Sequence, residues 1–201
     1  MSEAHENIDD PVSFPGYVAS DFLLWMWWAS DVNGSHIQFA TLDEEDSDED
    51  SEDRVVSLDD TSLDSLELWI GNKIALVSPH DSKTKATMSG EELAITPEVK
   101  VAIAQGKVIS SIEMGLRIDD REYSFSLRVP DLRLHGVKLP MVYDTSKEER
   151  EGMVFERMRL LDELESALKA LVQSFSHARV HDWEETCERI RAWLKAPVQK
   201  R

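Results

Sequence analysis

The feature that most constrains the fold is a pair of alternating runs joined by two aspartates. Every second residue is apolar: Ile112, Met114, Leu116 and Ile118 before Asp119-Asp120, and Tyr123, Phe125, Leu127 and Val129 after it. Because successive side chains of a strand point to opposite faces of a sheet, this period of two predicts strands with one buried face. Residues 131–139 alternate again, with Gly136 at a position typical of a bulge. The three runs predict an antiparallel meander.

More strands are expected on the N-terminal side of the meander. The stretch LELWIGNKIALV, residues 66–77, has apolar runs on both sides of Gly71-Asn72. This dipeptide is typical of two-residue hairpins, so we predict two short strands that meet there. Residues 83–89 predict a third strand, and residues 36–42 a further one after the turn dipeptide Asn33-Gly34. Together with the meander, the sheet should contain about five to six strands.

An aromatic segment precedes the sheet. The stretch DFLLWMWWAS, residues 21–30, contains three tryptophans and no Lys or Arg. Ser20 is a suitable N-cap, and the apolar side chains surround the resulting helix almost completely. Stacking on nucleic-acid bases and binding at a membrane surface both call for basic neighbours, which are missing here. We therefore predict a helix buried in the core. A helix shared with a partner or a second copy is the alternative.

A short helix is predicted inside the sheet region. Thr96 supplies a capping hydroxyl, Pro97 fits the first helical position, and Glu98 lies near the positive end of the helix. Gly106 predicts its end, because glycine readily adopts the left-handed backbone that follows many helices.

Two amphipathic helices are predicted near the C-terminus. Ser146 and Glu149 form a capping box before a helix over about 147–176, and Asp182 caps a second helix that ends at Pro197. Apolar residues recur at helical spacing on one face of each: Val154, Met158, Leu161, Leu164, Leu168, Leu171 and Phe175 on the first, and Trp183, Cys187, Ile190 and Leu194 on the second.

These elements together predict an α+β fold. An antiparallel sheet, built from a hairpin and a three-strand meander, would be packed by the N-terminal Trp-rich helix and the two C-terminal helices. We expect a flexible lead-in over 1–19, a single domain over 20–195 and a tail over 196–201. Within the domain, residues 43–62 are predicted to be a disordered acidic insertion.

The charge balance excludes several functions. The 201 residues contain 40 acids and 22 bases, for a formal charge of −18. Binding to a phosphate backbone needs clustered Lys and Arg, so direct nucleic-acid binding by this chain alone is not expected. No run approaches the roughly 18 apolar residues that span a bilayer, and the N-terminus lacks the pattern of a signal peptide. We expect a cytoplasmic protein without membrane contact or cofactor.

Nine of the acids lie in one run, Asp43–Asp53, which also contains Ser47 and Ser51. A self-repelling run of this kind is typical of a solubilising loop. The alternative is an acidic surface that binds a basic partner or mimics the phosphates of DNA. The candidate partner-binding residues are Asp43, Glu44, Glu45, Asp46, Asp48, Glu49 and Asp50.

Few residues suggest catalysis or metal binding. His177 and His181 have the spacing of two ligands on one helix face, but HARVH lacks the acid of the H-E-x-x-H pattern and lies where the helix is predicted to end. Cys187 lies on an apolar helix face and is expected to be a small buried hydrophobe. The glycines are scattered and do not form a phosphate-binding loop. We therefore expect no catalytic, cofactor-binding or metal-binding residue.

One arrangement of acids leaves a nuclease as a weaker alternative. Asp131 follows the second strand of the predicted meander, and Glu113 and Glu122 lie near it, so the three could form a carboxylate cluster for a divalent metal; as the alternative, either glutamate is a solvent-facing strand residue. Lys138 lacks the acid two residues before it that such sites contain, since Gly136 occupies that position.

Several segments, taken in order, resemble the C-terminal region of RdgC-like recombination-associated proteins of bacteria. The resemblance rests on order and spacing over residues 20–195: DFLLWMWWAS, LELWIGNKIALVS, TKATMSG, a Pro-started helix ending in QGK, REYSFSL, LRLHGVKLP and FERMRLLDELESAL. It implies a non-enzymatic protein linked to DNA recombination or replication, in a family that forms DNA-binding, ring-shaped dimers. Because the long N-terminal region of that family has no counterpart here, we expect a stand-alone module and transfer no DNA-contacting residue.

The leading hypothesis is a non-enzymatic accessory protein that acts by protein–protein contact in DNA recombination or maintenance. The long C-terminal helix is the expected surface for self-association, through Leu161, Leu164, Leu168 and Leu171, because its apolar stripe could continue across a dimer. The rival is an acidic partner-binding protein or DNA mimic, in a phage or defence context, that acts through Asp43–Asp53.

Overall fold

The structure is a computed structural model that describes residues 18–33, 66–79, 81–90, 97–141 and 150–196. The elements in these ranges are α1 (Val18–Val32), β1 (Leu66–Ser78), β2 (Asp81–Ser89), α2 (Pro97–Ala104), β3 (Val108–Ile118), β4 (Arg121–Arg128), β5 (Arg133–Lys138), α3 (Arg150–His181) and α4 (Trp183–Lys195). All neighbouring strands are antiparallel, in the order β2-β1-β3-β4-β5. The predicted α+β fold with one antiparallel sheet is confirmed.

Several predicted features lie outside the described residues. They are the strand over 36–42, the acidic insertion over 43–62, the capping box at 146–149 and the tail from residue 197 onward. The lead-in is also outside them, except that Val18 and Ala19 belong to α1.

The strand β1 is continuous, so the hairpin predicted at Gly71-Asn72 is wrong. Residues 71–73 lie opposite Glu113 alone, which makes the dipeptide part of a bulge inside the strand. Both flanking apolar runs pair with β3, and this shared partner keeps the chain extended where the dipeptide by itself favours a reversal. The reversal into β2 follows Ser78, which pairs with Asp81.

The meander β3–β4–β5 is as predicted. Ile118 pairs with Arg121 around the turn at Asp119, whose φ is 52°. The last strand has a bulge at Gly136, where φ is 61° and the register between β4 and β5 shifts. Most residues are strained at positive φ and glycine is not, so glycine is the suitable residue at position 136.

The helix α1 lies in the core, as predicted, and packs on β1 and β3 as well as on α3 and α4. Trp27 is fully buried, and its ring meets Trp193 edge-on with centroids 5.0 Å apart. Trp25 is buried against Phe175, while Trp28 is partly exposed. Contact with several neighbours explains why this helix is apolar all round.

The start of α1 differs from the prediction. The helix begins at Val18, so Ser20 is a buried residue of its first turn and does not lie at the N-cap. The carboxylate of Asp21, also buried, forms an ion pair with Arg179 at 2.8 Å, which joins the first turn of α1 to the end of α3. The helix therefore begins about one turn earlier than the preference of serine for the N-cap predicts.

The short helix α2 begins at Pro97 and ends as predicted. Gly106 has φ 88°, and its N–H donates to Ile103 O over 2.9 Å while the Lys107 N–H donates to Ala102 O over 3.1 Å. These two bonds form a Schellman motif, which satisfies carbonyls left free at the helix end.

The long helix α3 ends five residues later than predicted, at His181. Its extra turn is stabilised by the Arg179–Asp21 ion pair, a contact that local periodicity does not reveal. The predicted cap of α4 is absent as a side-chain interaction, since the Asp182 carboxylate makes no capping hydrogen bond and only its carbonyl accepts from Thr186 N–H.

No helix among the described residues has the length and apolarity needed to cross a membrane.

Candidate interaction surface

The helices cover one face of the sheet, and the other face carries a different set of side chains. The covered face contains the alternating apolar residues of β1, β3 and β4, which are buried in the core except for the partly buried Ile70. We call the opposite side the outer face. By register and alternation, it consists of Glu67, Trp69, Lys73, Ala75, Lys85, Thr87, Ser89, Ser111, Glu113, Gly115, Arg117, Glu122, Ser124, Ser126, Arg128, Arg133, His135 and Lys138.

The outer face is basic although the chain is acidic. It has six Lys or Arg side chains and three glutamates, for a formal charge of +3, while the whole chain has −18. The opposite signs mean that the acids are concentrated elsewhere. A surface of this kind attracts acidic partners and orients them as they approach.

Three side chains in one row of the outer face neutralise each other in part. Arg117 lies between Glu67 on β1 and Glu122 on β4 and forms ion pairs with them at 2.6 Å and 2.5 Å. The hydrogen bond with Glu122 raises the pKa of Arg117, and Glu67 adds to this effect. The row fixes the Arg117 side chain, so the excess positive charge comes from other residues.

The excess charge lies partly at the β4–β5 edge. Arg128 and Arg133 are directly opposite each other in the register, and Arg133 is held by Asp131 at 2.7 Å. Arg128 and Lys138 have no ion-pair partner among the described residues. Asp131 offsets the repulsion that Arg133 would otherwise exert on Arg128, so the uncompensated positive charges of this edge are those of Arg128 and Lys138.

An aromatic ring lies in the middle of the outer face. Trp69 is half-buried, and its indole covers Gly115 on the neighbouring strand so closely that a Cβ there would be 2.0 Å from Cε2. The guanidinium of Arg117 lies 5.7 Å from the ring centroid. Tryptophan and arginine are the residue types that most often dominate the binding energy of protein interfaces.

The structure does not assemble the three acids of the nuclease alternative into a metal site. Glu122 is bound to Arg117, Asp131 is bound to Arg133, and Glu113 lies beside the bulge at Gly71. Within the described ranges, no group of three His, Cys, Asp or Glu side chains could hold a metal ion.

The four leucines expected to mediate self-association lie in different environments. Leu164 and Leu171 are buried in the core, Leu168 is partly buried against it, and Leu161 is 43% exposed. Leu160, which the predicted stripe omitted, is buried in its place. The exposed large apolar residues of α3 are Val154, Phe155, Met158 and Leu161 near its N-terminus, and Val172 and Val180 further along the helix.

The remaining candidates divide between the core, the surface and the residues not described. Cys187 is buried in the core, as expected. His177 and His181 lie on the last turns of α3 and are exposed. The seven acids of the candidate partner-binding set, Asp43 to Asp50, lie outside the described residues.

A polar cluster at the junction of α1, α2 and α4 was not foreseen. The buried ammonium of Lys100 lies 3.9 Å from the centroid of the Trp193 ring and 3.6 Å from Asp31 Oδ2, which accepts a hydrogen bond from Trp193 Nε1 over 2.6 Å. Burial lowers the pKa of Lys100, and the attraction of Asp31 opposes that effect. Lys100, Asp31 and Trp193 all interact with one another, so the cluster is suited to holding the three helices together.

The outer face also was not foreseen, although its residues are visible in the sequence. The charge of the outer face appears only when five strands are placed side by side, because each strand contributes only one or two basic residues. The sequence signal that could have revealed the outer face is the polar residue at every second position of the alternating runs. Comparison with known proteins gave no further guide: no family model, curated protein or solved structure matches this chain.

Proposed function

We propose that this chain is a non-enzymatic accessory protein of DNA recombination or replication and that it works by binding an acidic partner protein on its outer face. The context comes from the resemblance to the C-terminal region of RdgC-like proteins. The binding surface comes from one observation, a sheet face of charge +3 in a chain of charge −18.

A protein fits this face better than a nucleic acid. Its basic residues are interrupted by Glu67, Glu113 and Glu122, and the guanidinium of Arg117 is already paired. The net negative charge of the whole chain would also repel a long polyanion. A protein partner can place acids opposite Arg128 and Lys138 and an apolar side chain on Trp69, which is the usual division between the rim and the centre of an interface.

A strand-exchange reaction driven by a recombinase from the same organism tests the proposal. We expect the wild-type chain to change the yield, and the double variant Arg128→Glu/Lys138→Glu to have no effect, because it reverses two unpaired charges of the outer face. Lys169→Glu is the matched control, since Lys169 is an exposed cation on α3, away from the sheet. An unchanged yield with the wild-type chain would contradict the recombination role.

Two further results would contradict the binding surface. If the double variant acts like wild type, the outer face is not used. If a mobility-shift assay shows that the chain alone binds DNA and that the double variant does not, the partner is nucleic acid and the proposed protein contact is wrong.

The composition of the run Asp43–Asp53 favours a second candidate function. Nine acids in eleven residues form a dense anionic segment that could bind a basic protein in place of DNA. In that case the reversed charges of the double variant would leave binding intact, and removal of the run would abolish it.

A further inference from the structure

Two exposed histidines face each other near the end of α3. His177 and His181 are four residues apart, and the centroids of their rings are 4.4 Å apart with an angle of 38° between the ring planes. The helix continues through both residues, so a regular backbone holds this spacing. Two imidazoles one helical turn apart are a known arrangement for binding a metal ion.

The ring separation suits coordination of one ion by both side chains. A metal–nitrogen bond to histidine is about 2.0–2.1 Å, so each ring centre would lie about 3.1 Å from the ion. Two such rings have centres about 4.4 Å apart at the angle near 90° of a square-planar Cu²⁺ or Ni²⁺ ion, and about 5.1 Å apart at the tetrahedral angle that Zn²⁺ prefers. The observed 4.4 Å matches the separation for a square-planar ion.

The electrostatic surroundings favour a cation. The carbonyl end of a helix has a partial negative charge, and both histidines lie in the last turns of α3, where the positive N-terminal end of α4 from Trp183 offsets part of it. Arg179 is two residues from each histidine and so points about 200° around the helix from them. Its charge is also neutralised by Asp21 at 2.8 Å. The carboxylate of Asp182, which follows His181, makes no capping hydrogen bond and adds negative charge nearby.

We propose that His177 and His181 chelate a divalent late-first-row transition metal ion, Cu²⁺, Ni²⁺ or Zn²⁺, on the surface of α3. Each imidazole supplies one nitrogen. No third His, Cys, Asp or Glu among the described residues completes the set, so water or an added ligand fills the other positions. Imidazole ligands suit these ions, and Cu²⁺ should bind most tightly. The site is independent of the outer face and of the proposed function.

Calorimetric titration of the untagged, EDTA-treated full chain with CuCl₂, NiCl₂ and ZnCl₂ tests the proposal. We expect one site on the wild-type chain, with Cu²⁺ bound most tightly. His177→Ala and His181→Ala should each weaken binding by about tenfold or more, because the second ligand binds from a high effective concentration once the first is attached. Electron paramagnetic resonance of the Cu²⁺ complex should show two nitrogen ligands in the wild type and one in each variant.

His135→Ala is the matched control, since His135 lies on β5 and should not affect the site. Both target histidines are exposed, so the variants should fold, and circular dichroism checks this. Equal Cu²⁺ affinity in wild type and in the His177→Ala/His181→Ala double variant would overturn the proposal, because the ion would then be held elsewhere. The absence of imidazole nitrogens from the spectrum of the wild-type complex would overturn it as well.

Discussion

The indole of Trp69 lies against the backbone of Gly115 on the adjacent strand, closer than any side chain at residue 115 would permit. The pair are direct neighbours in the register of β1 and β3. Glycine is therefore required here for the space that it leaves, since its φ is not in the left-handed region. The ring is held flat on the outer face, where a partner can contact it.

Gly115→Ala should displace this ring and destabilise the fold. A Cβ 2.0 Å from Cε2 forces the indole or the strand to move, and overpacking of this kind typically costs about 1–3 kcal/mol. Urea denaturation measures the loss. Gly90→Ala is the control, because nothing lies within 4 Å of a Cβ there, and it should change the free energy of unfolding by less than about 0.5 kcal/mol. Equal effects of the two substitutions would contradict the close packing.

Tyr123→Phe should weaken the link between β4 and α3. The hydroxyl of Tyr123 donates to Glu163 Oε2 over 2.8 Å, and Arg121 lies 2.6 Å from the other oxygen of Glu163. Loss of a hydrogen bond to a charged group should cost about 1.5–3 kcal/mol, and denaturation at pH 7 measures it.

The same residue predicts a loss of stability at alkaline pH. Burial raises the pKa of Tyr123, and the hydrogen bond to Glu163 raises it further. A raised pKa in the folded state means that the stabilisation is fully present below the unfolded value of about 10 and is lost as pH rises above it. Unfolding measured between pH 8 and 11 should therefore show a smaller decline for Tyr123→Phe than for wild type. Parallel declines would show that Tyr123 contributes nothing to it.

Contacts between residues distant in the sequence show which features of the fold could be predicted from the sequence and which could not. The alternation at Ile112–Ile118 reports which face of a strand is buried, so the meander and the core position of α1 were predictable. The bulge at residues 71–73 and the extra turn of α3 depend on distant partners, β3 and Asp21 respectively, which local patterns do not reveal. The outer face was missed for the same reason, because its charge is a property of strand order.

Asp31→Ala should destabilise the junction of α1, α2 and α4. It removes the acceptor of the Trp193 indole and leaves the buried Lys100 ammonium without its 3.6 Å partner, a loss of about 1–3 kcal/mol. Asp131→Ala is the control, because its ion pair with Arg133 is exposed and worth at most about 1 kcal/mol.

Lys100→Met separates the contribution of the Lys100–Asp31 ion pair from that of the hydrogen bond between Trp193 and Asp31. Burial already lowers the pKa of Lys100, so replacing the ammonium with an apolar side chain of similar length should cost little at pH 7. Denaturation that shows Lys100→Met to be as harmful as Asp31→Ala would mean that the ion pair itself stabilises the junction.

Self-association through α3 remains a prediction, and the structure specifies which residues could mediate it. Leu164 and Leu171 are buried, so a second copy would contact Met158 and Leu161, which are 54% and 43% exposed. We expect sedimentation equilibrium to show a dimer for wild type and a monomer for Met158→Glu/Leu161→Glu. Val101→Glu on α2, where the valine is 52% exposed, should remain dimeric. A monomeric wild-type chain would contradict this prediction.

Deletion of Asp43–Asp53 distinguishes the proposed function from its acidic rival. The deletion reduces the formal charge from −18 to −9 and leaves 21 of the 32 residues between Asn33 and Leu66, which can extend over roughly 70 Å. We expect unchanged partner binding, because the outer face is intact, and equal or greater stability, because self-repulsion falls. Binding to the recombination partner is measured by calorimetry and stability by urea denaturation, with Arg128→Glu/Lys138→Glu as the reciprocal variant. If the deletion abolishes binding and the reciprocal variant does not, the acidic run is the working element and the outer face is not.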